Sequence, residues 1–390
     1  MTELLTFSTF EICLIGITFL LFVIQMMYNL ITYARPLRFA KKRSKSETQA
    51  ESRTLPPVSI IIYARGDAES LRSNLPLFLS QDYPDYEVIV VNDGEDSDSE
   101  DVLKILSSEN KHLYYTYVPV DTQYLSHKKL ALTMGIKAAK NDILLFTEAN
   151  CQPLSQKWIQ TMTASYASGT DIRLGFCAFQ KNKGFLNKLI SYDNLLNGLQ
   201  YLSSALAHHP FSGNGKNLSY RRNLFFAHKG YSKSLNIHAG ADDLFINEAA
   251  TKQNTQVEFS PESIISIDNS DYLTWKEMKI ARVVTQHFFK GASLAFHKFY
   301  TASFFLFLIA ALATIVFGIF GNWTISIAAG LLLIARFIIK AMVFRRSSLL
   351  LQQKPLCMSL LILEFALPLY NMYIHIYRKF RGKIDYTSRI

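Results

Sequence analysis

A segment near the start of the chain carries no charge between Glu11 and Arg35. At a rise of about 1.5 Å per residue, a helix over Phe10–Ala34 would cross a hydrocarbon core of about 30 Å. A signal peptide fits poorly, because no basic region precedes the run and no small-residue cleavage site follows it. The segment predicts a membrane anchor, and the basic residues after it predict an outside N-terminus and a cytosolic chain from residue 45 onward. These basic residues are Arg35, Arg38, Lys41, Lys42, Arg43 and Lys45.

Three more apolar segments close the chain, near residues 300–320, 323–344 and 356–377. The first two are separated by Gly321 and Asn322, so they predict a membrane hairpin. The third contains Glu364 and precedes a basic tail, which a full crossing would leave outside against the positive-inside rule. The sequence is compatible with a third segment that spans the membrane and with one that is re-entrant or interfacial. The net charge is +10, and the basic residues cluster near the ends of the membrane segments. This distribution favours contact with lipid over binding of nucleic acid.

Between the membrane segments, strand patterns alternate with helix patterns, which predicts a parallel sheet covered on both faces. The predicted strands are Val58–Tyr63, Tyr86–Asn92, Tyr114–Pro119 and Ile143–Thr147. The predicted helices are Asp67–Ser80, Asp101–Leu106 and Lys128–Ala139. The predicted organisation is an anchor over residues 1–35, a basic and polar linker over 36–55, a folded domain over 56–290 and a membrane region over 291–390.

Polar residues follow three of the predicted strands, where a parallel sheet binds its ligands. They are Ala64-Arg65-Gly66-Asp67, Asn92-Asp93-Gly94 and Glu148-Ala149-Asn150. No G-x-G-x-x-G sequence follows the first strand and no P-loop lysine motif is present, so a Rossmann dehydrogenase or a P-loop NTPase is disfavoured. The pattern better fits a nucleotide site in which side chains hold the base and ribose and a cation binds the diphosphate.

The stretch "PPVSIIIYARGDAESLRSNLPLFLSQDYPDYEVIVVNDGEDSDSEDVL" resembles the N-terminal half of the family 2 glycosyltransferases, as do "HKKLALTMGIKAAKNDILLFTEANCQP" and "GNGKNLSYRR". The resemblance covers roughly residues 56–290. It implies an α/β domain of the GT-A fold with a mixed, mostly parallel sheet. One N-terminal and two to three C-terminal transmembrane helices would flank that domain.

The resemblance implies a nucleotide-sugar site. Ala64, Arg65 and Asp67 would hold the base and ribose, and Asp93 would contact the base. Lys128, or its neighbour Lys129, would lie near the diphosphate. Carboxylates accept hydrogen bonds from ribose hydroxyls and from the uracil imide, so these residue types suit the assignment.

Where the family carries an Asp-x-Asp metal motif, this chain has Glu148 and Asn150. Glu can ligate Mg²⁺ or Mn²⁺, whereas Asn offers only a neutral oxygen, so the resemblance implies a divalent cation at a weakened site.

The acidic cluster of the family corresponds to Asp242 and Asp243, with Ala241 at the first place of its triple-acid form. An inverting transfer needs one carboxylate within reach of the acceptor hydroxyl, and Asp242 is the first candidate for that base. The loop "FSGNGKNLSYRR" would border the donor sugar and acceptor through Gly213, Asn214, Gly215 and Asn217.

The Gln/Arg/aromatic motif of membrane members corresponds to Gln286 and His287, without its arginine and tryptophan. The stretch also suits an interfacial anchor.

The predicted function is a membrane-bound inverting glycosyltransferase of the cytoplasmic membrane, with its domain in the cytosol. It would use a nucleotide sugar, in first place a UDP-sugar, and a lipid-linked or glycan acceptor. Because three motifs depart from the family pattern, the alternative is a non-catalytic scaffold that partners an active glycosyltransferase.

Overall fold

The computed structural model describes residues 8–46, 55–94, 97–118, 126–164, 166, 169–180, 183–267, 271–356 and 358–381. Within these ranges the α-helices are α1 Thr9–Met26, α2 Arg35–Ser46, α3 Ala68–Leu79, α4 Ser97–Glu109, α5 His127–Ala138, α6 Trp158–Thr163, α7 Phe185–Leu206, α8 Arg222–Ala227, α9 Ala241–Ala249, α10 Tyr272–Thr285, α11 Ser293–Phe320, α12 Trp323–Leu350 and α13 Ser359–Arg381. A π-helical segment, Met27–Tyr33, joins α1 to α2.

The strands are β1 Val58–Ala64, β2 Tyr86–Asn92, β3 Leu113–Tyr117, β4 Ile143–Glu148, β5 Cys151–Pro153, β6 Ile172–Leu174, β7 Cys177–Phe179, β8 Leu218–Arg221, β9 Thr255–Val257 and β10 Ile265–Ile267. The main sheet has the order β3-β2-β1-β4-β8-β6-β9, and β5, β10 and β7 form a small second sheet. Strands β3, β2, β1 and β4 are parallel, whereas β8 runs antiparallel to both of its neighbours. The predicted mixed, mostly parallel α/β sheet is confirmed.

The central strands form because their aliphatic runs are buried on both faces, as parallel strands require. In β1, Ile60 and Ile61 point to opposite faces and neither is exposed. Helix α5 covers one face at close range, because Gly135 has no side chain. A Cβ built there would lie 2.7 Å from the Cγ2 atom of Ile61. This packing sets the start of α5 beside the carboxyl ends of β1 and β4.

Four helices are long and apolar enough to cross a membrane: Thr9–Ser44, Ser293–Phe320, Trp323–Leu350 and Ser359–Phe380. Helices α1, α11 and α12 pack on one another, while α13 packs on α7 and α10 of the α/β domain. One N-terminal and three C-terminal apolar helices therefore flank the domain. The contacts of α13 with that domain suit the interfacial alternative as well as a spanning one.

A buried polar cluster ties the apolar helices together. Glu364 of α13 accepts hydrogen bonds from Arg336 and Lys340 of α12, with 2.5 Å between Nη1 of Arg336 and Oε2. Arg336 also donates to Gln25 of α1 at 2.8 Å, and Lys340 donates to the hydroxyl of Tyr192 at 3.1 Å. Since Tyr192 belongs to α7, the cluster also joins the apolar helices to the α/β domain.

Helix α2 contacts the α/β domain directly. Arg35 donates to the carbonyl of Ser203 at 2.7 Å, and Arg43 contacts the buried carboxylate of Glu258 at 2.6 Å. Arg173 approaches the same carboxylate at 3.2 Å. The predicted linker between the anchor and the domain therefore contains a helix over its first part. Residues 47–54 of that linker lie outside the described residues.

Candidate active site

The candidate site lies at the carboxyl edge of the parallel strands, where such sheets bind ligands. Tyr63 near the end of β1 pairs in register with Glu148 at the end of β4, and Asp93 follows β2. A cavity of about 850 Å³ opens at this edge. Of the predicted site residues, the cavity lining includes Arg65, Lys128, Glu148, Gly213, Asn214, Gly215, Asp242 and Asp243. The fold thus brings residues from both halves of the domain to one cleft.

Two lysines share the carboxylate of Glu148. Nζ of Lys128 lies 2.6 Å from Oε1, and Nζ of Lys216 contacts Oε2. Lys128 also approaches Oδ2 of Asp242 at 3.7 Å. It therefore lies between Glu148, on the side predicted to bind the nucleotide, and Asp242, on the acidic side of the cleft. Sequence reasoning missed Lys216. Its only local signal was a cation within the glycine-rich loop.

Burial and the neighbouring Lys128 ammonium lower the pKa of Lys216 to about 7. Asp242 and Asp67 oppose this shift, and the contact with Glu148 also favours the charged form. Asp67 therefore lies close enough to influence the cleft, although its carboxylate accepts the backbone N–H of Arg65 at 2.9 Å.

The adjacent lysines of α5 have different roles. Nζ of Lys129 is buried and donates to the carbonyls of Ser234 at 2.6 Å and Ile237 at 2.9 Å. Burial lowers its pKa to about 7, against the attraction of Asp242. Lys129 therefore fixes the segment before α9, and Lys128 is the lysine that lines the cleft.

Asp93 is held by the groups around it. Its carboxylate accepts the hydroxyl of Tyr63 at 2.6 Å and lies 2.9 Å from Nδ1 of His127. Arg65 approaches it at 4.0 Å. Burial and the Asp93 carboxylate raise the pKa of Tyr63, so the phenol remains a hydrogen-bond donor. Tyr63 and His127 are the partners of Asp93 that the sequence did not indicate.

The two acids at the start of α9 have different surroundings. Gly240 adopts φ +71 before this helix, a conformation that favours glycine. Asp242 packs against the backbone of Gly215, where an added Cβ would lie 1.8 Å from Oδ2. Asp243 accepts the hydroxyl of Ser212 at 2.6 Å, and burial raises its pKa. Asp242 is therefore nearer to the lysines and the glycine loop.

Five predicted residues are not part of the cavity lining: Ala64, Asp67, Asp93, Asn150 and Asn217. Ala64 is fully buried in β1, and Asn150 accepts a weak hydrogen bond from the Cys151 thiol at 3.5 Å. Asn217 is buried beneath the loop. It accepts from Nε1 of Trp158 at 3.1 Å and donates to the carbonyls of Phe176 and Ser263, each at 2.8 Å. Asn217 therefore fixes the base of the loop that carries Lys216.

Helix α10 forms the wall opposite the sheet edge. Met278, Ala281, Arg282 and Thr285 line the cavity there. Gln286 and His287, the predicted motif residues, follow in a 3₁₀ turn and are not part of this lining. Arg282, four positions before Gln286, lines the cavity and lies 3.6 Å from Asp193.

The residues at the predicted metal position fit a divalent cation poorly. Mg²⁺ and Mn²⁺ prefer several oxygen ligands, carboxylates above all. Here both oxygens of Glu148 contact ammonium groups, and Asn150 is neutral. In the described part of the chain, no group of three or more His, Cys, Asp or Glu side chains is arranged to hold a metal ion.

Comparisons with known proteins agree with this geometry. Residues 59–226 match the family described as Glycosyl transferase family 2. Glycosyltransferase AglE of Haloferax volcanii is 32% identical over 123 residues, which is 31% of this chain and 38% of the relative. The match thus spans well under two thirds of that relative's length.

A solved structure shares the fold over nearly the whole chain. It is the mannosyltransferase PcManGT from Pyrobaculum calidifontis, in complex with GDP-Man and Mn²⁺. Its TM-score is 0.56 at 14% identity, and the alignment covers 92% of this chain and 99% of the other.

Proposed function

We propose that this chain, which carries a glycosyl transferase family 2 domain in the GT-A fold, transfers a sugar from a nucleotide sugar to an acceptor at a membrane surface with inversion. One observation carries the proposal: Arg65, Lys128 and Glu148 on the nucleotide side and the carboxylate of Asp242 line a single cavity of about 850 Å³. A cavity of this size accommodates a nucleotide sugar together with part of an acceptor.

On the nucleotide side, the Asp93 carboxylate and Arg65 bind the nucleoside, and Lys128 faces the diphosphate. The donor is a UDP-sugar in the first instance. GDP-mannose is the alternative donor to test beside it, because the PcManGT structure contains GDP-Man.

On the acidic side, Asp242 accepts the proton of the acceptor hydroxyl as its oxygen attacks the anomeric carbon. The bond between that carbon and the diphosphate oxygen breaks, and the nucleoside diphosphate leaves with the bonding electrons. A general base of this kind must reach the attacking hydroxyl. Gly215 supports this role, because its missing side chain leaves room for the Asp242 carboxylate.

The acceptor is lipid-linked, and the protein is an integral protein of the cytoplasmic membrane with its domain in the cytosol. The four long apolar helices support this placement. A second cavity of about 660 Å³ adds to it, between the π-helical segment, the end of α7 and the start of α11. Its lining combines the cations Arg35 and Lys290 and the imidazole of His209 with the rings of Phe211 and Phe296. Cations beside aromatic rings suit a phosphate joined to an apolar chain.

The test is donor turnover by the purified full-length protein. Radiolabelled UDP-glucose, UDP-N-acetylglucosamine and GDP-mannose are each incubated with the protein and a lipid extract, with and without Mn²⁺. Release of nucleoside diphosphate, or transfer of label to lipid, supports the proposal when the Asp242→Asn variant lacks it. Binding of a nucleotide sugar without turnover of any donor would favour the non-catalytic partner instead.

A further inference from the structure

We infer that Lys128 and Lys216 bind the donor diphosphate where relatives of this fold place a divalent cation, so that nucleotide binding does not require a metal. This inference rests on the proposed function, because it assigns the diphosphate subsite of the same cleft.

The first support is the position of the two ammonium groups. Both contact Glu148, which stands at the end of β4 and pairs with Tyr63 at the end of β1. This is the sheet edge at which parallel sheets hold phosphate-bearing ligands. The lysine side chains are 30% and 12% exposed, so they are partly enclosed yet face the cavity.

The second support is the donor capacity of the two lysines. Each ammonium group carries three N–H donors, and each makes one short contact with Glu148. Asp242 lies 3.7 Å from Lys128, beyond hydrogen-bond distance. A diphosphate supplies anionic oxygens for both, and lysine binds phosphate as a compact point charge.

The third support is the way the loop holds Lys216. The backbone N–H of Lys216 donates to Oδ1 of Asn214 at 3.1 Å. The next residue, Asn217, is fully buried and fixed by its three hydrogen bonds to Trp158, Phe176 and Ser263. Lys216 is therefore presented from a rigid base, as an anion-binding group must be to gain affinity from a preformed site.

The experiment measures nucleotide binding to the purified full-length protein by calorimetry. UDP and GDP are titrated beside uridine and guanosine, once with Mn²⁺ and once with EDTA. We expect equal diphosphate affinity in both conditions. In Lys216→Met and in Lys128→Met we expect a ten- to hundredfold loss of diphosphate affinity, with nucleoside affinity unchanged. Lys137→Met is the matched control, because Lys137 is an exposed lysine on the same helix as Lys128.

The outcomes separate the two claims. Wild-type protein that binds a diphosphate only with Mn²⁺ would overturn the inference and leave the proposed function standing. A folded Lys216→Met protein with wild-type diphosphate affinity would also overturn it. The measurement of the wild type with EDTA requires no variant, so it decides the question even if a lysine substitution prevents folding. Failure of every nucleoside and diphosphate to bind would refute the proposed function itself.

Discussion

Asp242 is the residue whose loss should separate chemistry from binding. In Asp242→Asn the amide cannot accept the acceptor proton, so kcat should fall by about 10²–10⁴-fold. Donor affinity should stay nearly unchanged, because a general base acts in the transition state. Single-turnover transfer and calorimetric donor binding measure the two effects. Wild-type turnover in this variant, with loss in Asp243→Asn, would move the role to the neighbouring acid.

Substitutions at Asn150 and Lys216 should convert the Glu148 site toward binding of a divalent cation. In the double variant Asn150→Asp with Lys216→Met, one ammonium group leaves Glu148 and a second carboxylate is added. Because Mn²⁺ binds best to several anionic oxygens, the double variant should gain Mn²⁺-dependent UDP affinity of about tenfold, or about 1.4 kcal/mol, over Lys216→Met alone. UDP titrations with Mn²⁺ and with EDTA measure the gain. Equal affinities in both buffers would contradict this expectation.

Single residues also mark the limit of sequence reasoning. Glu148 could be predicted because it ends an aliphatic strand, and Asp242 because its segment resembles the acidic cluster of the family. Lys216 could not, because its partner Glu148 lies 68 positions away and only the fold joins them. The resemblance implied that Asn217 borders the donor sugar and acceptor. The structure places it inside, where its hydrogen bonds fix that loop.

At the scale of elements, the close contact of α5 with the sheet sets the position of Lys128. A methyl group in Gly135→Ala would meet the β-branched side chains of Ile61 at 2.7 Å and Val91 at 3.2 Å. Overpacking of this kind should lower the free energy of unfolding by about 1–3 kcal/mol.

Thermal unfolding of the detergent-solubilised protein measures the effect of Gly135→Ala. Gly330→Ala is the control, because an added Cβ meets no atom within 4 Å there. An equal melting temperature for both variants would show that α5 can move away from the sheet at no cost.

The elements differ in how well sequence patterns predict them. The parallel strands were predictable because burial on both faces gives continuous aliphatic runs. The short strands of the second sheet, such as β5 and β7, were missed because three residues carry no measurable periodicity. The hydropathy of α13 could not decide between spanning and lying at the interface, because that depends on its contacts with α7 and α10.

At the scale of the whole molecule, the Glu364 cluster holds the apolar helices to the α/β domain. Glu364→Gln would leave Arg336 and Lys340 buried without their carboxylate. Breaking one side of a buried ion pair typically costs about 3–5 kcal/mol, so the variant should lose much of its thermal stability.

The triple variant Arg336→Met, Lys340→Met, Glu364→Met is the matched control for Glu364→Gln. Replacing a whole buried ionic group by apolar residues is often neutral. The triple variant should therefore regain melting temperature over the single one, and a single variant as stable as the wild type would refute the role of the cluster.

Orientation is a second property of the whole molecule. Six basic residues follow the first apolar run, so the positive-inside rule predicts that the α/β domain lies in the cytosol. The protein should resist carbonate extraction, and protease should cleave the domain in inside-out vesicles but not in intact spheroplasts. Cleavage with the opposite sidedness would reverse the assignment.

Under the proposed function, the contacts of α2 and α12 with the domain also limit how the domain can reach an acceptor. A domain joined to its membrane anchor by a flexible linker can reach an area of bilayer whose radius increases with the linker length. Here the Arg43–Glu258 ion pair and the hydrogen bond from Lys340 to Tyr192 remove that freedom. In the proposed membrane arrangement, encounters then depend on lateral diffusion of the acceptor to a stationary opening. Under the proposed function, an opening held at one height above the bilayer would favour acceptors whose reactive hydroxyl lies at a matching distance from their lipid.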